Sequence, residues 1–244
     1  MSIGILVIGA TGSGKSTSIR TLDPTTTVII SPDGKPLPWK DASKDYIKGK
    51  NLFYVSKIDG APRIGADGRK EVPIIELMKR ISDNSDKKIK NIILDTVNTA
   101  LIDLEMSETF RLRKAGGEAM QKWWDLACEG WGIFKLANAL REDIIVWILA
   151  HSTEKIDSDT ATYRKMITNG RKLEKLVPES MFSIVIHTVK ALDSNDKIEH
   201  YFVTEDIDST AKAPMEMFPE IKMPNDMGII EKHVREYYEG EIDE

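Results

Sequence analysis

The chain has 244 residues, enough to bury a full core as one large domain, with 41% hydrophobic and 30% charged residues. That balance excludes wholesale disorder, and no apolar run is long enough to cross a bilayer. A net charge of -5 excludes a protein coated in positive potential, such as a non-specific duplex-coating protein, but leaves room for local basic patches.

Ile3 to Ile8 is an apolar run closed by Gly9, the pattern of a central strand buried on both faces. No basic leader precedes it, so it reads as a strand and not a signal peptide, and a cytoplasmic setting is expected. Lys15 to Leu22 is expected to be a helix ended by "DPTTT", and "TTVIIS" (26–31) a β-branched second strand. "PDGKPLPW" is turn and loop by its prolines and glycine, and "NLFYVS" a third, peripheral strand. "EVPIIELMKRIS" carries apolar residues at helical spacing behind a proline suited to a first turn, and "DNSDKKIK" is a solvated connection.

"NIILDTVN" supplies the next strand, Ile92 to Leu94, ending in Asp95. Thr99 to Leu140 is helical in pattern, with a loop expected at the glycines of Lys114 to Glu118. Trp123, Trp124 and Trp131, with Ala127 and Phe134, fall mostly on one face, which predicts core packing over a base-stacking surface. Cys128 stands alone, excluding an intramolecular disulfide or a cysteine zinc site, and is expected to be packed in a helix interior. "DIIVWILAH" is an apolar strand, Ile144 to Ala150, ending in His151, and the polar stretch from Ser152 to Lys175 has no periodicity. "MFSIVIHTV" and "EHYFVTED" flank "KALDSNDK" as a hairpin. The tail is a terminal helix running into five acidic residues among the last nine. Strands alternating with helices, followed by a hairpin, predict an α/β fold with a mainly parallel central sheet flanked by helices and a C-terminal antiparallel extension.

Gly9-x-x-x-x-Gly14-Lys15-Ser16 matches the P-loop pattern in its required setting, strand before and helix after. Glycines 9, 12 and 14 let the backbone of Gly9, Ala10, Thr11, Gly12, Ser13 and Gly14 turn its amides toward phosphate oxygens, aided by the helix N-terminus. Lys15 is placed to reach the β and γ phosphates of ATP, Ser16 to ligate Mg2+, and Thr17 to lie near the α phosphate. Asp95, at the end of a neighbouring apolar strand, is the candidate second magnesium ligand; capping the following helix is a compatible role. His151 ends the other apolar strand and is expected near the γ phosphate, where it would sense hydrolysis. Asp33 and Glu105 are candidates for orienting the attacking water. His187, His200 and His233 have no metal-ligand spacing.

The order of these pieces resembles the RecA-like core of P-loop NTPases. "GKSTSIRTLDP", "GKPLPW", "AHSTE", "STAKAP" and "MPNDM" make the chain similar to a phage-encoded family of RecA-like P-loop ATPases grouped with single-strand annealing proteins and recombinases. The likeness covers nearly the whole chain, with residues 1–224 as the ATPase core and 225–244 as a C-terminal helix and acidic tail. It implies that two loops bind single-stranded DNA. One holds Arg111, Arg113 and Lys114; the other runs from Ser152 to Lys175 and holds Tyr163, Arg164, Lys165, Arg171, Lys172 and Lys175. Between Thr160 and Lys175 there are five basic residues against one acid, which supports the second loop, although a charged solvated loop has the same composition. The likeness also implies self-association into a ring or filament, with Lys212 of "STAKAP" presented to the ATP of an adjacent subunit, and a single-stranded DNA-binding protein as partner. The chain departs from RecA-like recombinases in beginning directly at the first strand.

The function expected from these features is a magnesium-dependent, DNA-stimulated ATPase that promotes annealing or strand exchange in phage recombination, in the host cytoplasm and away from membranes. Two other readings fit the P-loop: a kinase of a small molecule or nucleotide, with Arg164 and Arg171 in a lid, and a nucleotide-gated assembly or packaging factor.

Overall fold

The computed structural model describes residues 1–60, 63–64, 70–107, 110, 112, 117–156, 162–168, 174–175 and 177–240. In chain order the strands are β1 (Ile3–Gly9), β2 (Thr27–Ile30), β3 (Leu52–Phe53), β4 (Arg63–Ile64), β5 (Lys70–Glu71), β6 (Asn91–Asp95), β7 (Ile145–Ile156), β8 (Thr162–Met166), β9 (Ile184–Leu192), β10 (Ile198–Val203) and β11 (Lys222–Pro224). The helices are α1 (Ala42–Asp45), α2 (Ile74–Ser82), α3 (Val97–Met106), α4 (Gly117–Ala137) and α5 (Met227–Glu239), with short 3-10 segments at Ser16–Thr21 and Pro178–Met181.

The main sheet runs β11-β10-β9-β1-β7-β6-β2-β3, with β8 paired to β7. From β9 across to β3 every neighbouring pair is parallel, while β10 and β11 extend the sheet in antiparallel sense. This is the expected mixed architecture, with a mostly parallel sheet flanked by helices. The continuous apolar runs of β1, β6 and β7 follow from burial on both faces. Leu6, Ile8, Ile92, Leu94, Val146 and Ile148 point to one face, where α2, α3 and α4 pack with Met78, Leu101 and Phe134. Ile5, Val7, Ile93, Ile145, Trp147 and Leu149 point to the other, where Ile19, Tyr46 and the Met227, Ile230 and Val234 stripe of α5 close the core. Asp226 caps α5 by accepting from Ile229 N at 3.0 Å.

Several expectations are corrected. The helix expected over Lys15 to Leu22 is only a 3-10 turn at Ser16–Thr21. Its hydroxyls bond backward, Ser18 Oγ to Lys15 O at 2.6 Å and Thr21 Oγ1 to Ser18 O at 3.0 Å, and Pro24 prevents extension. β7 does not stop at His151 but runs on to Ile156, pairing antiparallel with β8, so the stretch expected to be loop is partly a two-stranded ribbon. Gly117 and Glu118, expected in a loop, begin α4. That helix buries Leu126, Ala127, Ile133, Phe134 and Ala137, leaving Trp124 and Trp131 48% and 40% exposed and Cys128 exposed as well. Trp123 instead stacks edge-on against Phe110 at 5.3 Å.

Candidate phosphate-binding site

β1 ends at Gly9, in register with His151 of β7 on one side and Thr188 of β9 on the other. There the chain leaves the sheet and folds back on itself. Ser13 N donates to Ala10 O at 3.2 Å, and Ser18 N to Gly14 O at 3.0 Å. Lys15 Nζ reaches into the loop and donates to the carbonyls of Gly9 at 2.6 Å and Ala10 at 2.9 Å. Two glycines are required by geometry. Gly14 has φ +102°, and a Cβ on Gly9 would lie 1.9 Å from Thr188 Oγ1.

Beside the loop lies a cavity of about 250 Å³ whose lining includes the loop from Thr11 to Thr17, Ser31, Asp33, Lys35, Asp95 and His151. The ends of β1, β2 and β6, and the point where β7 parts from β1, therefore bring Lys15 and Ser16, Asp33, Asp95 and His151 to one place. The register explains it: Asp95 sits opposite Leu149, so His151 projects two residues further along the adjacent strand.

Burial lifts the Asp95 carboxyl to about 6, opposed by a hydrogen bond from the Ser16 hydroxyl and by the Lys15 charge. Burial likewise brings the Lys15 ammonium down to about 8, with Asp95 pulling it back up. Asp33 is held below the usual carboxylate range: burial works the other way, but hydrogen bonds from Lys35 and Ser31 outweigh it. Its contacts are Ser31 Oγ at 2.9 Å and Lys35 Nζ at 3.0 Å. His151 is lowered by burial and by the Lys15 and Lys35 charges, so its ring is neutral near pH 7, and Nδ1 is buried without a partner. Asn98 fixes its backbone, accepting from His151 N at 2.8 Å and donating to Ile167 O at 2.8 Å, while Ile167 N donates to His151 O at 2.8 Å. Among the described residues no group of three or more His, Cys, Asp and Glu side chains could hold a metal alone. Ser16 and Asp95 offer the hard oxygen pair that suits Mg2+, an ion that takes one or two carboxylates and completes its shell with phosphates and water.

The other sequence candidates are not gathered at this cavity. Glu105, near the far end of α3, does not line it, whereas Asp33 does. Lys212 is exposed, and its backbone is pinned to β9 by a reciprocal pair with Val185, Lys212 N to Val185 O at 2.9 Å and the reverse at 2.8 Å. On β8, Tyr163 is 37% exposed, but Arg164 faces Asp206 at 3.6 Å and Lys165 pairs with Glu174 at 2.8 Å, so both cations are partly neutralised within the chain. Lys175 is exposed. Arg111, Arg113, Lys114, Arg171 and Lys172 lie outside the described residues, as does the acidic tail beyond Gly240.

Sequence reading missed the groups that hold the loop from its other flank. Ser13 Oγ bonds Thr188 Oγ1, the His200 ring bonds Ser13 O through Nδ1 at 2.9 Å, and the Asn225 amide lies 2.9 Å from where a Gly14 Cβ would be. Only "MPNDM", quoted as a motif, pointed toward one of them. Lys35 was missed too, inside a segment read as turn. No family model and no curated protein matches the chain. Among the described residues no helix is long and apolar enough to cross a membrane.

Proposed function

We propose that the protein is a magnesium-dependent ATP hydrolase of RecA-like type whose turnover is coupled to single-stranded DNA. The observation that carries this reading is the convergence of Lys15, Ser16, Asp33, Asp95 and His151 on one cavity beside the loop. Lys15, now occupied by the Gly9 and Ala10 carbonyls, turns its ammonium to the β and γ phosphates as ligand enters. Ser16 and Asp95 would hold Mg2+, which neutralises phosphate charge when bound. Asp33, ionised and beside Lys35, orients the attacking water. The neutral His151 ring lines the cavity where the γ phosphate would sit, so that loss of the terminal phosphate is felt in β7 and in the β7–β8 ribbon beyond it. That ribbon carries Tyr163, a stacking surface for a base. Its cations engage DNA by exchanging Asp206 and Glu174 for phosphates, which makes binding steeply salt-dependent. Annealing or strand exchange, assembly into a ring or filament and a trans-acting Lys212 belong to the same proposal and rest on the motif resemblance.

The test is ATP hydrolysis at low salt with and without single-stranded DNA. Stimulation that disappears in Lys15→Ala and in Lys212→Ala, with ATP binding kept in the latter, is the expected result. A hydrolysis rate unchanged by DNA, together with no DNA binding, overturns it.

One observation favours a second reading, a small-molecule kinase. A cavity of about 490 Å³ lined by Trp39, Tyr46 and Tyr54 shares Pro36 and Leu37 with the phosphate cavity, as an acceptor pocket would. ADP release that depends on an added acceptor and not on DNA would select it.

A further inference from the structure

The segment that follows β2 supplies part of the phosphate cavity that the loop itself does not. Ser31, Asp33, Lys35, Pro36, Leu37 and Pro38 all line it, together with the loop from Thr11 to Thr17. The path of this segment is set locally. Gly34 takes φ +65° in a turn where its N donates to Ser31 O at 3.4 Å, and Pro36 and Pro38 keep Lys35 and Leu37 away from helical backbone.

Lys35 thereby joins Lys15 as a second ammonium on the cavity, and the two are engaged differently. Lys15 Nζ is held inside the loop by the carbonyls of Gly9 and Ala10, whereas Lys35 Nζ pairs with Asp33 Oδ2 at 3.0 Å. The Lys35 side chain is 76% exposed, and an ion pair so open to water is worth little, so a more highly charged anion can displace the carboxylate. Its charge still reaches the residues where a terminal phosphate is expected. Burial raises the Asp95 carboxyl and Lys35 is among the groups opposing it; burial lowers the His151 ring, and the Lys15 and Lys35 charges add to that. Asp33 shows what the pair withholds. Its Oδ1 accepts from Ser31 Oγ at 2.9 Å and from Lys35 N at 3.2 Å, while Oδ2 is taken by the Lys35 ammonium. Oδ2 becomes a full acceptor for water only when that ammonium moves off it.

We infer that Lys35 is a further catalytic residue, whose ammonium exchanges Asp33 for the γ phosphate of ATP and in doing so frees the carboxylate for the attacking water. This rests on the reading of the cavity as an ATP-hydrolysing site. In the step it assists, the water oxygen bonds to the γ phosphorus, the bond from that phosphorus to the bridging oxygen breaks with its electron pair passing to ADP, and the water proton passes to Asp33. Lys35 remains on the γ-phosphate oxygens, where it offsets the charge that develops. ADP has no γ phosphate to draw the ammonium from Asp33, so Lys35 also separates ATP from ADP. It acts within one chain, so turnover without DNA does not depend on Lys212 of an adjacent subunit.

The experiment compares the full chain with Lys35→Gln and Lys35→Arg in two readouts, both with Mg2+: binding of a non-hydrolysable ATP analogue and of ADP, and the rate of ATP hydrolysis without DNA. Because the side chain is exposed, both variants keep the core intact. In Lys35→Gln the analogue should bind about tenfold more weakly with ADP binding unchanged, and kcat should fall about a hundredfold; Lys35→Arg should keep most of both. Equal weakening of both nucleotides means that Lys35 serves only the shape or field of the cavity. A fall in kcat with the preference for the analogue over ADP unchanged means that it only positions Asp33, and no change at all means a solvated surface pair. Each of these overturns the inference. A parent that binds neither nucleotide, or binds ATP without hydrolysing it, overturns instead the hydrolase reading beneath it.

Discussion

Burying Asp95 under the loop raises its carboxyl to about 6, so at neutral pH the folded protein carries a charge it would hold more comfortably in water. A group whose pKa is higher folded than unfolded stabilises the fold at low pH, and that contribution is lost as pH rises from about 4 through about 6. Asp95→Asn should therefore raise the neutral-pH stability of the ligand-free protein by about 1–3 kcal/mol while removing magnesium-dependent hydrolysis. Calorimetry beside an activity assay checks it, and a lower melting temperature at pH 7 refutes it. His187 works in the opposite sense. Burial, then the Arg164 charge, drops its ring to about 4, and its Nε2 lies 3.0 Å from Thr210 Oγ1. Stability from this group is complete above about 6.5 and is lost as pH falls toward 4, roughly 3 kcal/mol in all. Melting curves of His187→Gln should consequently show a shallower fall between pH 7 and pH 4.5 than those of the parent.

Elements whose two faces meet the core could be read directly. β1, β6 and β7 as far as Ala150 are unbroken apolar runs, and Asp95 stands out because it ends one of them. The limit of such reading shows at Ser152 to Ile156. That half of β7 pairs only with β8, beyond the packed layers, so no core selects alternating apolar residues there and the strand leaves no periodic trace. α4 shows a different limit. Both the Leu126, Ala127, Ile133 and Phe134 face and the Trp124, Cys128 and Trp131 face have helical spacing, and only packing against α2, α3, β1 and β7 decides which is buried. The partners of Ser13 and Gly14 were illegible for a third reason: Thr188, His200 and Asn225 lie far along the chain, and register alone brings them back. Between elements, Trp147 Nε1 donates to Asn91 Oδ1 at 2.9 Å and Asn91 Nδ2 donates to Glu231 at 2.8 Å, a bridge from β7 through β6 to α5. Trp147→Phe leaves that buried acceptor unmade and should cost about 1–3 kcal/mol in urea denaturation. A midpoint equal to the parent's would show that the bridge contributes nothing.

At the scale of the molecule, the loop stands at the centre of a sheet with helices on both faces, so a ligand bound there would stabilise the whole domain. ATP with Mg2+ at about a hundred times its dissociation constant should add about 2.7 kcal/mol and raise the melting temperature by about 5–10 °C. Lys15→Ala, compared at the same ligand concentration, should show no rise; an equal rise would place the ligand elsewhere. The central position of β1 also sets an order of events during synthesis. Its neighbours in the sheet are β7 and β9, and the far wall of the loop is completed only at Asn225. At about 5–20 residues per second the ribosome needs roughly 10–40 s after making the loop to deliver that wall. Throughout that interval the loop is made but not yet framed, and a product truncated before β7 would carry Lys15 and Ser16 without His151 beside them.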